Sequence, residues 1–261
     1  MEQVTKNAFV ETKARGCNPG FVVTSQGIVM IDAPVDREDA KAWAKEIAKR
    51  GKLRCLINTE HHLDHWVCDS LFDVEVIAHK VTRETMLTMN LDYIRNRTKI
   101  LYSDPLPLPE GHQLKVPTIT YSGRMTLHSD THTFHLIHTP GRTAGETAVY
   151  IPEEKVVFTG DNVFGQLGTA FHDAQADKWL ESLKVLEGLD VRFIVPGHGK
   201  VCDKGYLSTQ ASIIRGWMEE KAKAQGGTVD ETAIKRKADP YFDILDFGIK
   251  PGLKLPPTSA R

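Results

Sequence analysis

At 261 residues, 41% hydrophobic and 26% charged, the chain has the composition of a folded protein with enough apolar material for a substantial core. A formal net charge of −1 excludes a broad positive field for nucleic acid or for an anionic membrane surface. No apolar run approaches the ~20 residues of a spanning helix, and Met1 to Lys6 opens no signal-peptide h-region, so the expectation is a cytoplasmic protein with no membrane partner.

The predicted elements alternate between strands and helices. Phe21 to Thr24 and Ile28 to Asp32 read as strands flanking a hairpin-like turn at Gln26-Gly27. Ala40, Trp43, Ala44, Ile47 and Ala48 share one helical face, and Gly51 follows as a stop. Leu53 to Ile57 is an apolar run with the length of a buried strand, and Val74 to Ala78 is another. Val81 to Ile94 reads as helix. Residues 96 to 118 hold Pro105, Pro107, Pro109 and Pro117 and read as a long irregular loop, a feature often tied to function. Tyr102 and Leu106 are its candidates for a pocket rim. Short strands are expected at Met125 to Ser129, Phe134 to Ile137, Ala148 to Ile151 and Val156 to Thr159. Helices are expected around Trp179, Leu183 and Leu186 and over Tyr206 to Ala224. From Gly226 the chain turns polar and Pro-rich. This divides it into a main domain over 1–225 and a C-terminal extension or docking arm over 226–261.

Ligand-competent residues crowd the ends of these strands. Thr59-Glu60-His61-His62-Leu63-Asp64-His65 follows the first buried run. His138-Thr139-Pro140-Gly141-Arg142-Thr143 comes next. Val156 to Asp161 is an apolar strand ending in Gly-Asp, and Phe193 to Gly199 is one ending in a His between glycines. Such groups are costly to bury unless they are paired or bind a cation. Carboxylate and imidazole are common ligands of zinc and similar ions.

In this order the motifs resemble the metallo-β-lactamase-fold superfamily, over most of the chain from about Asn18 to the helix after His198. The resemblance implies an α/β fold, an αββα sandwich of two mixed β-sheets flanked by helices. It also implies two metal sites. The first would use positions 60, 62 and 142, the second Asp64, His65 and His198, with Asp161 bridging both. Two positions depart from the usual pattern: Glu60 stands where the family has its first His, and Arg142 where it has its third. A guanidinium has no acceptor and keeps its proton, so Arg142 is no ligand. The first site keeps His62 and Asp161 as donors, with Glu60 open between a ligand and a partner of Arg142, and the second is complete. The expectation is one zinc ion, with Mn2+ or Fe2+ as alternative occupants. Glu60 and Arg142, both charged and both expected in the interior, are expected to pair as a salt bridge.

The function implied is hydrolysis of a small-molecule ester, lactone, thioester or amide, with metal-activated water as nucleophile. Asp64 or Glu60 would accept a proton, and Arg142 would steady the oxyanion. His172, in Phe171-His172-Asp173, is a candidate substrate residue, as is Tyr102. Two histidines with a carboxylate also suit non-haem iron, so an oxygenase on the same fold is the alternative. A binding protein on a catalytically decayed fold is the third reading. Cys17, Cys55, Cys68 and Cys202 lack Cys-x-x-Cys spacing and read as free thiols. His138 reads as structural, and His79, His112, His128, His132 and His135 as surface or strand histidines. The sequence leaves a monomer and a homo-oligomer equally open.

Overall fold

Alternate residues of the apolar runs go to different cores, and that alternation builds the layers. The computed structural model describes residues 1–101 and 108–223. Its first half holds strands β1 (Glu2–Gln3), β2 (Ala8–Val10), β3 (Gly20–Thr24), β4 (Gly27–Ile31), β5 (Leu53–Ile57), β6 (Glu75–His79) and β7 (Ile119–Tyr121) in one sheet, in that spatial order. Pairing is antiparallel from β1 to β4 and parallel from β4 to β7. The helices of this half are α1 (Arg37–Ala48), α2 (Leu63–Trp66), α3 (Lys80–Met86) and α4 (Leu91–Leu101). The second half adds β8 (Arg124–His128), β9 (Thr133–His138), β10 (Thr147–Ile151), β11 (Val156–Phe158), β12 (Phe164–Gly165), α5 (Ala176–Glu187), β13 (Phe193–Val195), β14 (His198–Gly199) and α6 (Tyr206–Lys223). Its sheet runs β13-β11-β10-β9-β8, with β12 and β14 as a separate parallel pair.

Ile28 and Met30 face α1 and pack with Phe21, Trp43 and Ile47. Val29 and Ile31 face the other way, onto Phe134, Leu136, Val149 and Phe158 of the second sheet. On that sheet Val157 and Ile194 turn outward to Trp179, Leu183, Leu207 and Ile214 of α5 and α6. Strand geometry sends successive side chains to opposite faces, so the result is helix, sheet, sheet, helix: the αββα sandwich. Each fully buried Leu, Ile or Phe contributes roughly 1.5–3 kcal/mol relative to exposure. Among the described residues no helix is long and apolar enough to cross a membrane.

Three expectations change. The single helix over Val81 to Ile94 is two, because Asn90 interrupts it: its side chain accepts from Tyr93 N–H at 2.9 Å, an N-cap that starts α4 afresh. The irregular segment expected over residues 96 to 118 begins later, since α4 runs to Leu101, and the unexpected strand β7 follows directly on it at Ile119. Asp32 lies beyond β4 rather than in it, with φ of +53°. Tyr102, Leu106 and the extension over 226–261 lie outside the described residues.

Candidate metal centre

The centre is built from strand ends. Asp32 follows β4, and parallel pairing sets it beside the chain leaving β5. Its Oδ1 accepts from Thr59 N–H at 2.7 Å and its Oδ2 from the Thr59 hydroxyl at 2.6 Å. The same Oδ2 is 2.9 Å from His65 Nδ1. A left-handed φ is uncommon for a residue other than glycine, although Asp tolerates it better than most. Here it turns the carboxylate onto the His65 ring. Sequence reading missed Asp32. The available signal was an acid closing an apolar strand one parallel neighbour away from the His-rich motif.

With Nδ1 held, His65 presents Nε2 to the interior, 3.3 Å from Asp161 Oδ1. His198 Nε2 lies 3.1 Å from that same oxygen and 3.3 Å from Asp64 Oδ2. Its Nδ1 is fixed by the Gly16 carbonyl at 2.9 Å. Glu60 Oε1 is 3.4 Å from His65 Nε2. His65 Nε2, Asp161 Oδ1 and Glu60 Oε1 are all buried without a hydrogen-bond partner among the described residues. Donors placed tetrahedrally at 2.0–2.1 Å from an ion stand roughly 3.3–3.4 Å apart. These residues therefore fit a divalent ion in both donor type and spacing.

Two glycines make room for the cluster. A Cβ on Gly197 would stand 2.2 Å from Asp161 Oδ1. One on Gly16, which has φ of +86°, would stand 2.7 Å from Asp64 Cβ. The electrostatics point the same way. Burial opposes charge on the His65 and His198 rings, yet neighbouring acidic groups, Asp161 among them, raise both pKa values. Burial likewise opposes charge on Asp161, and His198 and His65 outweigh it, holding the carboxyl well below its ordinary value. Glu146, buried beneath, accepts from Asp161 N–H at 2.8 Å and from the Thr143 hydroxyl at 3.0 Å. Burial, with Glu60 and Asp161 nearby, pushes its pKa well up. The cluster is acidic enough to draw positive charge onto its own imidazoles.

Arg142 lies in the Pro140-Gly141-Arg142 turn between β9 and β10, anchored by its N–H to Asn162 Oδ1 at 3.1 Å. It is 1% exposed. One terminal nitrogen donates to the His172 carbonyl and lies 3.3 Å from His62 Nε2. The other lies 2.8 Å from His172 Nε2, and Nε is 3.9 Å from Asp161 Oδ2. Burial and Arg142 together push the His172 pKa well down, so that ring is neutral. Glu60 turns elsewhere: its Oε2 is 2.5 Å from His62 Nδ1 and accepts from His62 N–H at 3.1 Å. The expected Glu60–Arg142 salt bridge is thus not formed, because His62 stands between the two. Nor are the terminal nitrogens open to steady an oxyanion as expected, because both are engaged by His172 and His62.

His62 is not brought into the cluster. Its Nε2 faces Arg142 and, at 3.4 Å, Asp173 Oδ2. The His62 hydrogen bond is the main cause that lowers the Asp173 pKa to about 2. The fold joins Asp64, His65, Asp161 and His198, adds Glu60 at one side, and groups His61, His172 and Asp173 around His62 next to Glu60. Cys17 is the thiol near the centre, grouped with Asp32 and His65. His79 is buried at the end of β6, within the surface-or-strand reading, whereas His112 and His132 are buried outside any strand, contrary to it. His132 pairs with Glu154 at 2.9 Å, His112 meets the Val67 carbonyl at 2.8 Å, and His79 stacks on His138 at 3.8 Å.

Residues 12–198 match the family model of the Metallo-beta-lactamase superfamily. A hydroxyacylglutathione hydrolase of Brucella anthropi is 31% identical over 140 residues, 51% of this chain and 43% of that protein. The chain spans between 24% and 54% of the length of the first curated relatives it matches. A metallo-beta-lactamase from Pontibacter korlensis superposes with TM-score 0.66 at 18% identity, covering 82% of this chain and 97% of that one. A sec-alkylsulfatase from a Pseudomonas species superposes with TM-score 0.71 at 16% identity, covering 92% and 46%. At those identities the structural likeness shows the fold alone.

Proposed function

This chain belongs to the metallo-beta-lactamase superfamily, and from that premise we propose that it is a metal-dependent hydrolase of a small-molecule ester, lactone, thioester or amide. The observation that carries the reading is the buried cluster of Asp64, His65, Asp161 and His198, in which the pairs His65–Asp161, His198–Asp161 and His198–Asp64 stand 3.3, 3.1 and 3.3 Å apart. These four residues would hold one divalent ion. Zinc is the expectation from the family, and Mn2+ and Fe2+ also suit a carboxylate-bearing set. The ion's contribution is Lewis acidity, which lowers the pKa of water and polarises a carbonyl.

The chain's own groups supply the rest. Asp32 holds His65 Nδ1, so that Nε2 faces the cluster. The Asp64 side chain is 17% exposed and more open than those of Asp161 and His198, which places its carboxylate to accept a proton from a reacting water. His62, His172 and Asp173 line the approach and would orient the substrate. Arg142 acts from behind, as a fixed positive charge next to Asp161 and as the tie that holds the His172 loop. The four free cysteines suit a reducing compartment, and we place the protein in the cytoplasm.

The test is metal analysis of the purified chain followed by a panel of esters, lactones, thioesters and amides. His198→Ala should lose most of its bound metal and most hydrolysis. Full metal content in that variant overturns the ligand assignment. The two-histidine, carboxylate-rich donor set favours one second reading, a non-haem iron oxygenase. Iron in the purified protein, together with substrate-dependent O2 uptake and no hydrolysis across the panel, would establish it instead.

A further inference from the structure

Glu60 and Arg142, the two departures from the usual motif, gain a joint meaning from geometry although they do not touch. Resting on the metal-centre reading above, we infer that Glu60 is itself a ligand of the ion held by Asp64, His65, Asp161 and His198, and that it biases the centre towards hard divalent ions such as Mn(II) and Fe(II).

Glu60 is 0% exposed, and no hydrogen-bond donor among the described residues reaches its Oε1. An unpartnered carboxylate oxygen in the interior is costly. Oε1 lies 3.4 Å from His65 Nε2, close to the other donor-pair spacings of the cluster. Ligand atoms of Glu60, His65 and Asp161 all lie within 4.8 Å of one another, as do those of Asp64, His65 and His198; the two triads share His65 and are joined by His198 Nε2, 3.1 Å from Asp161 Oδ1. The other oxygen, Oε2, is anchored on His62 through Nδ1 and N–H, which fixes the carboxyl group and aims Oε1 inward. One ion would satisfy three buried atoms, Glu60 Oε1, His65 Nε2 and Asp161 Oδ1, that form no hydrogen bond among the described residues and otherwise meet only one another and His198 Nε2.

With Glu60 the donor set has three carboxylates and two imidazoles. Oxygen-rich sets suit Mn(II), Mg(II) and Fe(II) better than sets dominated by nitrogen or sulfur. Three carboxylates around a dication leave one negative charge in excess. Arg142, with Nε 3.9 Å from Asp161 Oδ2, supplies the positive charge that offsets it. The acid at position 60 adds a ligand, and the guanidinium at position 142 balances its charge across Asp161.

The experiment compares wild type, Glu60→Gln, His62→Ala and His198→Ala as metal-stripped full-length chains. Mn(II) affinity is read from the EPR signal of the free ion, and Zn(II) affinity from competition with a chelator. Loss of even an outer-shell partner of a ligand costs about 10–100-fold in affinity. Glu60→Gln should therefore weaken Mn(II) by at least that factor and Zn(II) by less, widening the zinc preference about tenfold. His62→Ala should leave the Zn/Mn ratio near that of wild type, since His62 only braces Glu60. Glu60→Asp, which keeps the charge but withdraws the oxygen, covers the case in which the Gln variant fails to fold, and it too should weaken Mn(II). An unchanged Mn(II) affinity in the Glu60 variants, with metal lost in His198→Ala, would overturn the role of Glu60 and leave the metal centre standing. Equal loss in Glu60→Gln and His62→Ala would reduce Glu60 to a brace for the loop. A wild-type chain that binds neither ion would overturn both readings.

Discussion

Asp32→Asn tests whether the centre is organised from behind. Asp32 is 3% exposed and accepts from Thr59 N–H, from the Thr59 hydroxyl and from His65 Nδ1, at 2.7, 2.6 and 2.9 Å. Asn has the same shape and is among the residues that tolerate the φ of +53°. It has only one acceptor oxygen, however, and its NH2 must point at a neighbour. If the oxygen stays on Thr59 N–H, the NH2 faces the Thr59 hydroxyl and His65 Nδ1. The hydroxyl can rotate. The imidazole must change tautomer, placing its proton on Nε2, the atom aimed at Asp161. Loss of a charge-assisted bond with some compensation should cost about 1.5–3 kcal/mol of folding stability. The misplaced proton should weaken metal binding by about 10–100-fold, the usual effect of removing the partner behind a ligating histidine. Urea unfolding of the metal-stripped chains measures the first quantity, and chelator competition the second. Wild-type metal affinity in a destabilised Asp32→Asn would show that Asp32 serves the strand end and not the ligand, and the argument would fail.

Trp179→Ala should cost about 3–5 kcal/mol, since the ring is fully buried and its Nε1 donates to the Asn162 carbonyl at 3.0 Å, so the change opens a cavity beneath the Arg142 turn; thermal unfolding reports it. For His79, burial and then the stacked His138 ring lower the pKa to about 4. The unfolded chain therefore binds the proton first. His79 contributes stability that is present above about pH 6.5 and lost as pH falls towards 4. His79→Asn, which can still accept from Val81 N–H at the start of α3, should flatten the wild-type pH–stability curve across that window, and parallel curves would refute this. Native protein should hold one ion per chain with metal in excess. Glu60→His combined with Arg142→His should raise that stoichiometry towards two, as counted by metal analysis after gel filtration.

The strands were legible in the sequence because their signal is local, while their arrangement as a sandwich came from the family resemblance. Ile28, Val29, Met30 and Ile31 alternate between two cores, and a continuous apolar run is what a strand covered on both faces requires. β7 was hidden because Pro117 precedes it and because two of its three residues are exposed, which leaves almost no apolar pattern. The helix break at Asn90 depends on one capping hydrogen bond inside an otherwise helical stretch. At the centre, Asp64, His65, Asp161 and His198 could be picked out because they fall, in order, in motifs that resemble those of the family. Asp32 could not be, since its role comes from the parallel pairing of β4 with β5, a contact that no motif records. The partners of Glu60 and Arg142 were misjudged for a related reason. Charge alone suggested that they meet, whereas the loop geometry sets the His62 ring between them.

That wedge explains how a buried cation and a metal centre can share so small a volume. Two unit charges 4 Å apart interact by about 4 kcal/mol at an effective dielectric constant of 20, and a dication doubles the figure. A second ion on the His62 side would meet the guanidinium directly, because an Arg142 nitrogen lies 3.3 Å from His62 Nε2. An ion among His65, His198 and Asp64 meets it only across the Asp161 carboxylate, whose Oδ1 faces the histidines and whose Oδ2 faces Arg142 Nε. Asp161 thus separates two positive charges that would otherwise repel and is attracted to both. On this reasoning Arg142 is not a remnant of a lost metal site. It stands at the position of the family's third histidine with a charge that cannot dissociate, and it ties down His172 through its carbonyl and its ring.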